Sequence, residues 1–145
     1  MKSRTRARCV ALQALYETDM TDHKPGEVLK QRIEDESLDE HMGQFAHEIL
    51  FGVWPVREEL DAFIAEHAPE WPLDQVATID RNIIRIALWE FAVKSKTPIK
   101  VAINEAVEMA KLYGSDSAPR FVNGVLGSLA TRENEIRQAL QNLSK

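Results

Sequence analysis

At 145 residues the chain can form one domain that buries about two-thirds of its unfolded surface, so it needs neither a disulfide nor a metal to fold. The single Cys9 excludes an intramolecular disulfide, and no uninterrupted apolar run reaches the roughly 18 residues of a membrane span. A net charge of -5 argues against a uniformly basic nucleic-acid binder, yet the charge is segregated, with Lys2, Arg4, Arg6 and Arg8 opening an otherwise acidic chain.

The first predicted helix runs from near Arg4 to Asp19, with Ala7, Val10, Ala11, Ala14 and Leu15 on its core face. Its arginines occupy the first turns, where the helix dipole favours acids and each cation costs about 0.3–1 kcal/mol. A breach of a local stability rule points to function, here a row that binds phosphates. Arg4 and Arg8 are one turn apart, and Tyr16 lies further along the same row, where an aromatic can stack on a splayed base. Gln13 borders the strip. A solvated basic terminus accounts for the same charges, and a core-edge position accounts for the same tyrosine.

Pro25-Gly26 marks a break after Thr21, and a short helix is expected over Glu27 to Ile33. The acidic stretch from Glu34 to Glu40 leads into a longer helix. Its apolar positions Phe45, Ile49, Leu50, Val53, Leu60, Phe63 and Ile64 keep helical spacing across Pro55, which must kink or divide it. Pro69 and Pro72 bracket Trp71 and form the clearest internal boundary, so one domain over 1–145 is expected to contain helical subdomains of approximately 1–68 and 72–145.

In the next helix Ile79, Ile83, Ile86 and Ala87 share one face, with Arg81, Arg85 and Trp89 around the other. Asp80 intrudes near the apolar side, where it can serve a helix N-terminus or meet a cation from a docked partner. Thr97 is the expected N-cap of the following helix, Pro98 its first residue and Gly114 its exit. Ile99, Ala102, Ile103, Ala106, Ala110 and Tyr113 share a face of that helix. Asp116 or Ser117 is placed to cap a further helix with Phe121, Val122, Val125, Leu126 and Leu129 on its apolar side. Gly124 and Gly127 stand mid-helix, which suggests close backbone approach. A last amphipathic stretch carries Ile136, Leu140 and Leu143. No alternating strand or internal repeat occurs, so the fold is all-α, a pair of packed helical bundles.

No catalytic constellation accompanies this fold. His23, His41, His47 and His67 lack the i, i+4 spacing of a zinc pair, and there is no P-loop, dinucleotide fingerprint or nucleophile elbow. Catalytic residues, metal and cofactor are therefore all expected to be absent.

Arg6-Ala7-Arg8 leading to Ala11-Leu12-Gln13-Ala14-Leu15-Tyr16 resembles the opening of the NusB transcription antitermination family. Three further blocks agree in order and spacing: Ile79 through Ala87, Pro98 through Lys111, and Phe121-Val122-Asn123-Gly124-Val125-Leu126. The resemblance implies a NusB-like pair of helical bundles and a noncatalytic, cytoplasmic RNA-binding protein. Such a protein recognises single-stranded boxA RNA with NusE, the small-subunit ribosomal protein, and helps load an antitermination complex onto RNA polymerase during ribosomal RNA synthesis. Carried over by position, Lys2, Arg4, Arg6, Arg8, Gln13, Tyr16, Phe121 and Asn123 are RNA-contact candidates, and Asp80, Ile84 and Leu88 are candidates for docking NusE. Two positions depart from the family pattern: Gly127 replaces a frequent Asp, and Pro55 interrupts a commonly continuous helix. Two other readings remain open, an RNA-recognition accessory of an RNA methyltransferase and a structural helical homodimer.

Overall fold

The computed structural model describes residues 1–67, 69–70, 72 and 75–144, with the side chains of His67 and Ser144 outside the description. Trp71, expected at the internal boundary, therefore lies outside the described residues. Among those described there is no strand, and packing divides the chain into two compact units, Met1–Trp54 and Pro55–Lys145. The division falls at the Trp54–Pro55 junction, earlier than the proline pair at 69 and 72 suggested.

The first unit contains α1 (Ser3–Met20), α2 (Pro25–Asp35) and α3 (Glu40–Val53), each packed on the other two. Helix α2 starts at Pro25 itself, because a proline in the first turn loses no hydrogen bond and its fixed φ suits a helix. Helix α3 starts where the Asp39 carboxylate accepts the backbone N–H of Met42 at 2.8 Å. Ala7, Val10, Ala11, Leu12, Ala14 and Leu15 of α1 are buried together with Val28 and Leu29 of α2 and Ala46, Ile49, Leu50 and Val53 of α3. Each large aliphatic side chain removed from water contributes about 1.5–3 kcal/mol.

A 3-10 turn, Trp54–Val56, runs across the Trp54–Pro55 junction and leads into α4 (Arg57–His67) of the second unit. Pro55 thus divides the expected long helix, since proline cannot supply the backbone donor that a continuous ladder needs. Helix α5 (Thr78–Leu88) runs on into a π-helical turn, Trp89–Val93, closed by a Lys94 N–H to Trp89 carbonyl bond of 2.9 Å. It packs against α4, α6 (Ile99–Tyr113) and α7 (Ala118–Ala130), and every residue from 82 to 93 is buried. Helix α8 (Glu133–Leu140) packs on the π turn and ends in a 3-10 turn, Gln141–Ser144.

The start of α6 departs from expectation. Thr97 is not its cap: the hydroxyl donates to Glu90 Oε1 at 3.0 Å, and Pro98 occupies the N-cap position with no side-chain bond. The bond gives the buried Glu90 carboxylate a donor. Gly114 closes α6 for reasons of space, because a Cβ there would stand 2.4 Å from the Ala118 Cβ and 3.0 Å from Asp80 Oδ1. Gly127 is the opposite case, since a Cβ there would meet nothing within 4 Å. Close approach does not explain that glycine.

Candidate nucleic-acid interface

The basic row stands at the start of α1, a helix with no acid in its first turn and no side-chain cap on its N-terminus. Lys2 and Arg4 are exposed and Arg6 is half-buried, so cationic side chains and the positive end of a helix dipole coincide. Arg6 donates from Nη2 to the backbone carbonyl of Glu36 at 2.5 Å, which ties it to the C-terminal end of α2. That contact satisfies a donor without cancelling the charge.

Arg4 and Arg8 come together over one aromatic ring. The guanidinium carbons lie 4.8 and 5.2 Å from the ring centroid of Phe45 on α3. Such contacts contribute about 0.5–1 kcal/mol when exposed and more when desolvated. Arg8 retains only 4% of its exposure, so it is a seated cation rather than the freely solvated member of a surface row that its spacing suggests. Phe45, expected as ordinary core, is half-buried and forms the platform beneath both charges. Its helical spacing with Ile49 signals only that it faces inward; the platform arises from how α1 packs on α3.

Gln13 and Tyr16 separate in character. The Gln13 amide oxygen accepts from Arg32 Nη1 of α2 at 3.2 Å, and the same guanidinium reaches Glu17 Oε1 through Nη2 at 3.1 Å. His23 Nδ1 lies 2.9 Å from the other Glu17 oxygen. Hydrogen bonding from His23 first, and from Arg32 second, holds the Glu17 carboxyl below its ordinary pKa. Arg32, overlooked in the sequence because it lies in a different helix, thereby orients the Gln13 side chain. Tyr16 is 39% exposed, which leaves its ring accessible for stacking.

The remaining candidates belong to the second unit. On α7 Phe121 is half-buried and Asn123 exposed. On α5 the docking assignment requires correction: Ile84 and Leu88 have no exposed surface, and Asp80 is 7% exposed. These residues cannot present a docking face, because α5 is enclosed by α4, α6 and α7. Asp80 Oδ1 has no hydrogen-bond partner among the described residues, and burial raises its carboxyl pKa. Arg85, expected on a polar face, is buried and forked onto Asp61, with Nε–Oδ1 and Nη2–Oδ2 distances of 2.8 and 2.5 Å. Its Nη1 donates to Asn82 Oδ1 at 3.0 Å.

The NusB family profile matches residues 5–131, from within α1, where it includes Arg6 and Arg8, through the end of α7. The chain belongs to the NusB family. It is 47% identical over 137 residues to a transcription antitermination protein NusB of Roseiflexus sp. (strain RS-1), covering 93% of this chain and 96% of that relative. Its fold is similar to that of T. maritima NusB, at a TM-score of 0.79 and 29% identity, covering 91% of this chain and 96% of the other. A crystal structure of the antitermination factors NusB and NusE in complex with dsRNA matches at a TM-score of 0.82 and 26% identity, over 91% of this chain and 98% of that one. These NusB folds are all-α, as here, and none of the described helices is long and apolar enough to cross a membrane.

Proposed function

We propose that this protein is a noncatalytic, cytoplasmic RNA-binding antitermination factor. It binds single-stranded boxA RNA together with NusE and helps assemble an antitermination complex on RNA polymerase during ribosomal RNA transcription. The observation that carries this reading is the charge-retaining basic face at the start of α1. Neither Arg4 nor Arg6 makes an ion pair among the described residues, and the adjacent helix N-terminus adds positive potential. Family membership and the similarity to a NusB chain seen with NusE and RNA support the same reading.

In this proposal Lys2, Arg4 and Arg6 contact phosphates, and Arg8 strengthens the local field from its buried seat. Gln13 and Tyr16 provide base contacts, while Phe121 and Asn123 form a second group of candidates on α7. Phosphate contacts position the strand, and the unstacked bases supply the sequence information. The acidic remainder of the chain suits a basic protein partner such as a ribosomal protein, which would add cationic surface to the complex.

The test is a titration of labelled boxA RNA and a scrambled control, with and without purified NusE, at two salt concentrations. Selective binding strengthened by NusE is expected. Combined Arg4→Ala and Arg6→Ala substitution is expected to weaken that binding and to flatten the salt dependence of log K by about 0.7 for each phosphate contact removed. Equal affinity for both RNAs under every condition would refute the proposed recognition.

A further inference from the structure

The stretch that leads from the π turn into the first turn of α6 carries Lys94, Lys96 and Lys100 and no acid, in a chain whose net charge is -5. Exposure alternates along it. The three lysines and Pro98 are exposed, whereas Ser95, Thr97 and Ile99 are half-buried. The Lys94 N–H donates to the Trp89 carbonyl at 2.9 Å, the Ser95 hydroxyl to the Ala92 carbonyl at 3.0 Å and the Thr97 hydroxyl to Glu90 Oε1 at 3.0 Å. Ser95 also holds a left-handed φ of 57°, a conformation uncommon outside glycine. Bonds to the π turn at three successive points thus fix the path of the chain that displays the lysines.

None of the three ammonium groups has an ion pair or hydrogen bond among the described residues, whereas the Lys111 ammonium lies 3.3 Å from Glu108 Oε1. Glu90, the acid that this stretch engages, is buried and accepts from Thr97. The lysine charges are therefore retained at the surface, where close like charges repel and an anion placed among them relieves the repulsion.

The chemistry of the patch narrows the anion. Between Lys94 and Lys100 there is no aromatic side chain on which a base could stack, and no large apolar side chain is exposed to form the core of a protein interface. Lysine is a point charge without the rigid fork that reads a base edge or a carboxylate in two bonds. A repeated, singly charged ligand satisfies such a patch, and a nucleic-acid backbone supplies one phosphate per nucleotide.

We propose that Lys94, Lys96 and Lys100 form a second RNA contact, on the second unit, that holds the phosphate backbone irrespective of base sequence. This rests on the RNA-binding reading above, and it divides the labour: the α1 row and its neighbours serve the boxA element, while the lysine patch adds affinity without selectivity.

The test uses a labelled single strand carrying boxA within longer flanks, and the same strand with boxA scrambled, each titrated in the presence of NusE across a salt series. The triple variant Lys94→Ala, Lys96→Ala, Lys100→Ala is expected to bind both RNAs on the order of ten-fold more weakly at low salt, with the slope of log K against log salt reduced by about 2. The ratio of the two affinities should stay at the parent value. The triple Lys→Arg variant, which keeps the charges, is expected to bind like the parent. Parent-like binding by the alanine variant would overturn the proposal, as would a loss confined to the boxA strand or equal weakening by the arginine variant.

Thermal unfolding checks that the variants are folded. Should the triple alanine variant fail to fold, the three single Lys→Ala variants are each expected to lower the slope by about 0.7, and three unchanged slopes would refute the patch. The parent protein separates the two levels. If it does not prefer boxA to the scrambled strand, the RNA reading itself fails and takes this inference with it. If it does prefer boxA while the lysine variants match it, only the inference fails.

Discussion

In the second unit Arg85 is buried, forked onto Asp61 and bonded to Asn82, whereas in the first unit Arg4 lies over Phe45 and Arg6 reaches the Glu36 carbonyl. The first arrangement neutralises a cation and satisfies the rigid guanidinium fork, so the charge is consumed in joining α4 to α5. The second leaves net charge at the surface beside a helix N-terminus. Count and residue type do not distinguish a structural arginine from one that awaits a ligand; the nature of its partner does. A carboxylate marks the former, and a neutral ring or carbonyl the latter.

The largest expected effect tests the structural half of this contrast. Asp61→Ala leaves the Arg85 guanidinium buried without its counterion and should destabilise the protein by about 3 kcal/mol. Urea unfolding measures this as a lower midpoint at an unchanged slope. Binding of boxA RNA at temperatures where the variant stays folded should not change, because neither Asp61 nor Arg85 is among the residues proposed to contact RNA. A loss below about 0.5 kcal/mol would mean that Arg85 finds another acceptor.

Arg4→Ala gives the mirror image. The side chain is exposed and breaks the dipole rule at the start of α1, so stability should change by no more than about 0.5 kcal/mol. RNA affinity should nevertheless fall on the order of ten-fold at low salt, and by less at high salt where counterion release weakens. Filter binding across a salt series, paired with thermal unfolding, checks both halves. An arginine whose removal lowered stability and left RNA binding intact would belong with Arg85.

Much of the fold was legible because helical periodicity and proline act locally. The spacing of Ala7, Val10, Ala11, Ala14 and Leu15 marked the core face of α1, and Pro55 marked a real interruption. The arginine row was legible because it violates an electrostatic rule. Reading α5 as a two-faced helix failed for a three-dimensional reason: three helices and its own π turn surround it, so Ile84, Leu88 and even Arg85 are buried. Likewise, neither the Thr97–Glu90 bond nor the seat of Arg8 on Phe45 exists until distant segments pack. Gly127 shows the same limit in reverse, since only the structure reveals open space beside it. Gly127→Ala should therefore stabilise α7 by up to about 1 kcal/mol, measurable as a raised urea midpoint.

Asp80 adds an anion to the contrast between consumed and retained charge, and it yields the smallest effect. Its Oδ1 is buried without a partner among the described residues, and desolvation raises its pKa in the folded state. Between the ordinary aspartate range, about 4, and that raised value, the folded protein holds a proton that the unfolded chain has released. Stability contributed by the protonated group is thus present at low pH and lost as pH rises through the folded pKa. Asp80→Asn removes that titration, so its stability relative to the parent protein should improve as pH rises through this window and then level off. Urea unfolding at a series of pH values measures the difference. A parent protein that instead gained stability relative to Asp80→Asn over the same rise would show that the carboxylate has a cationic partner in solution, and Asp80 would then stand with Asp61 as a charge consumed by the fold.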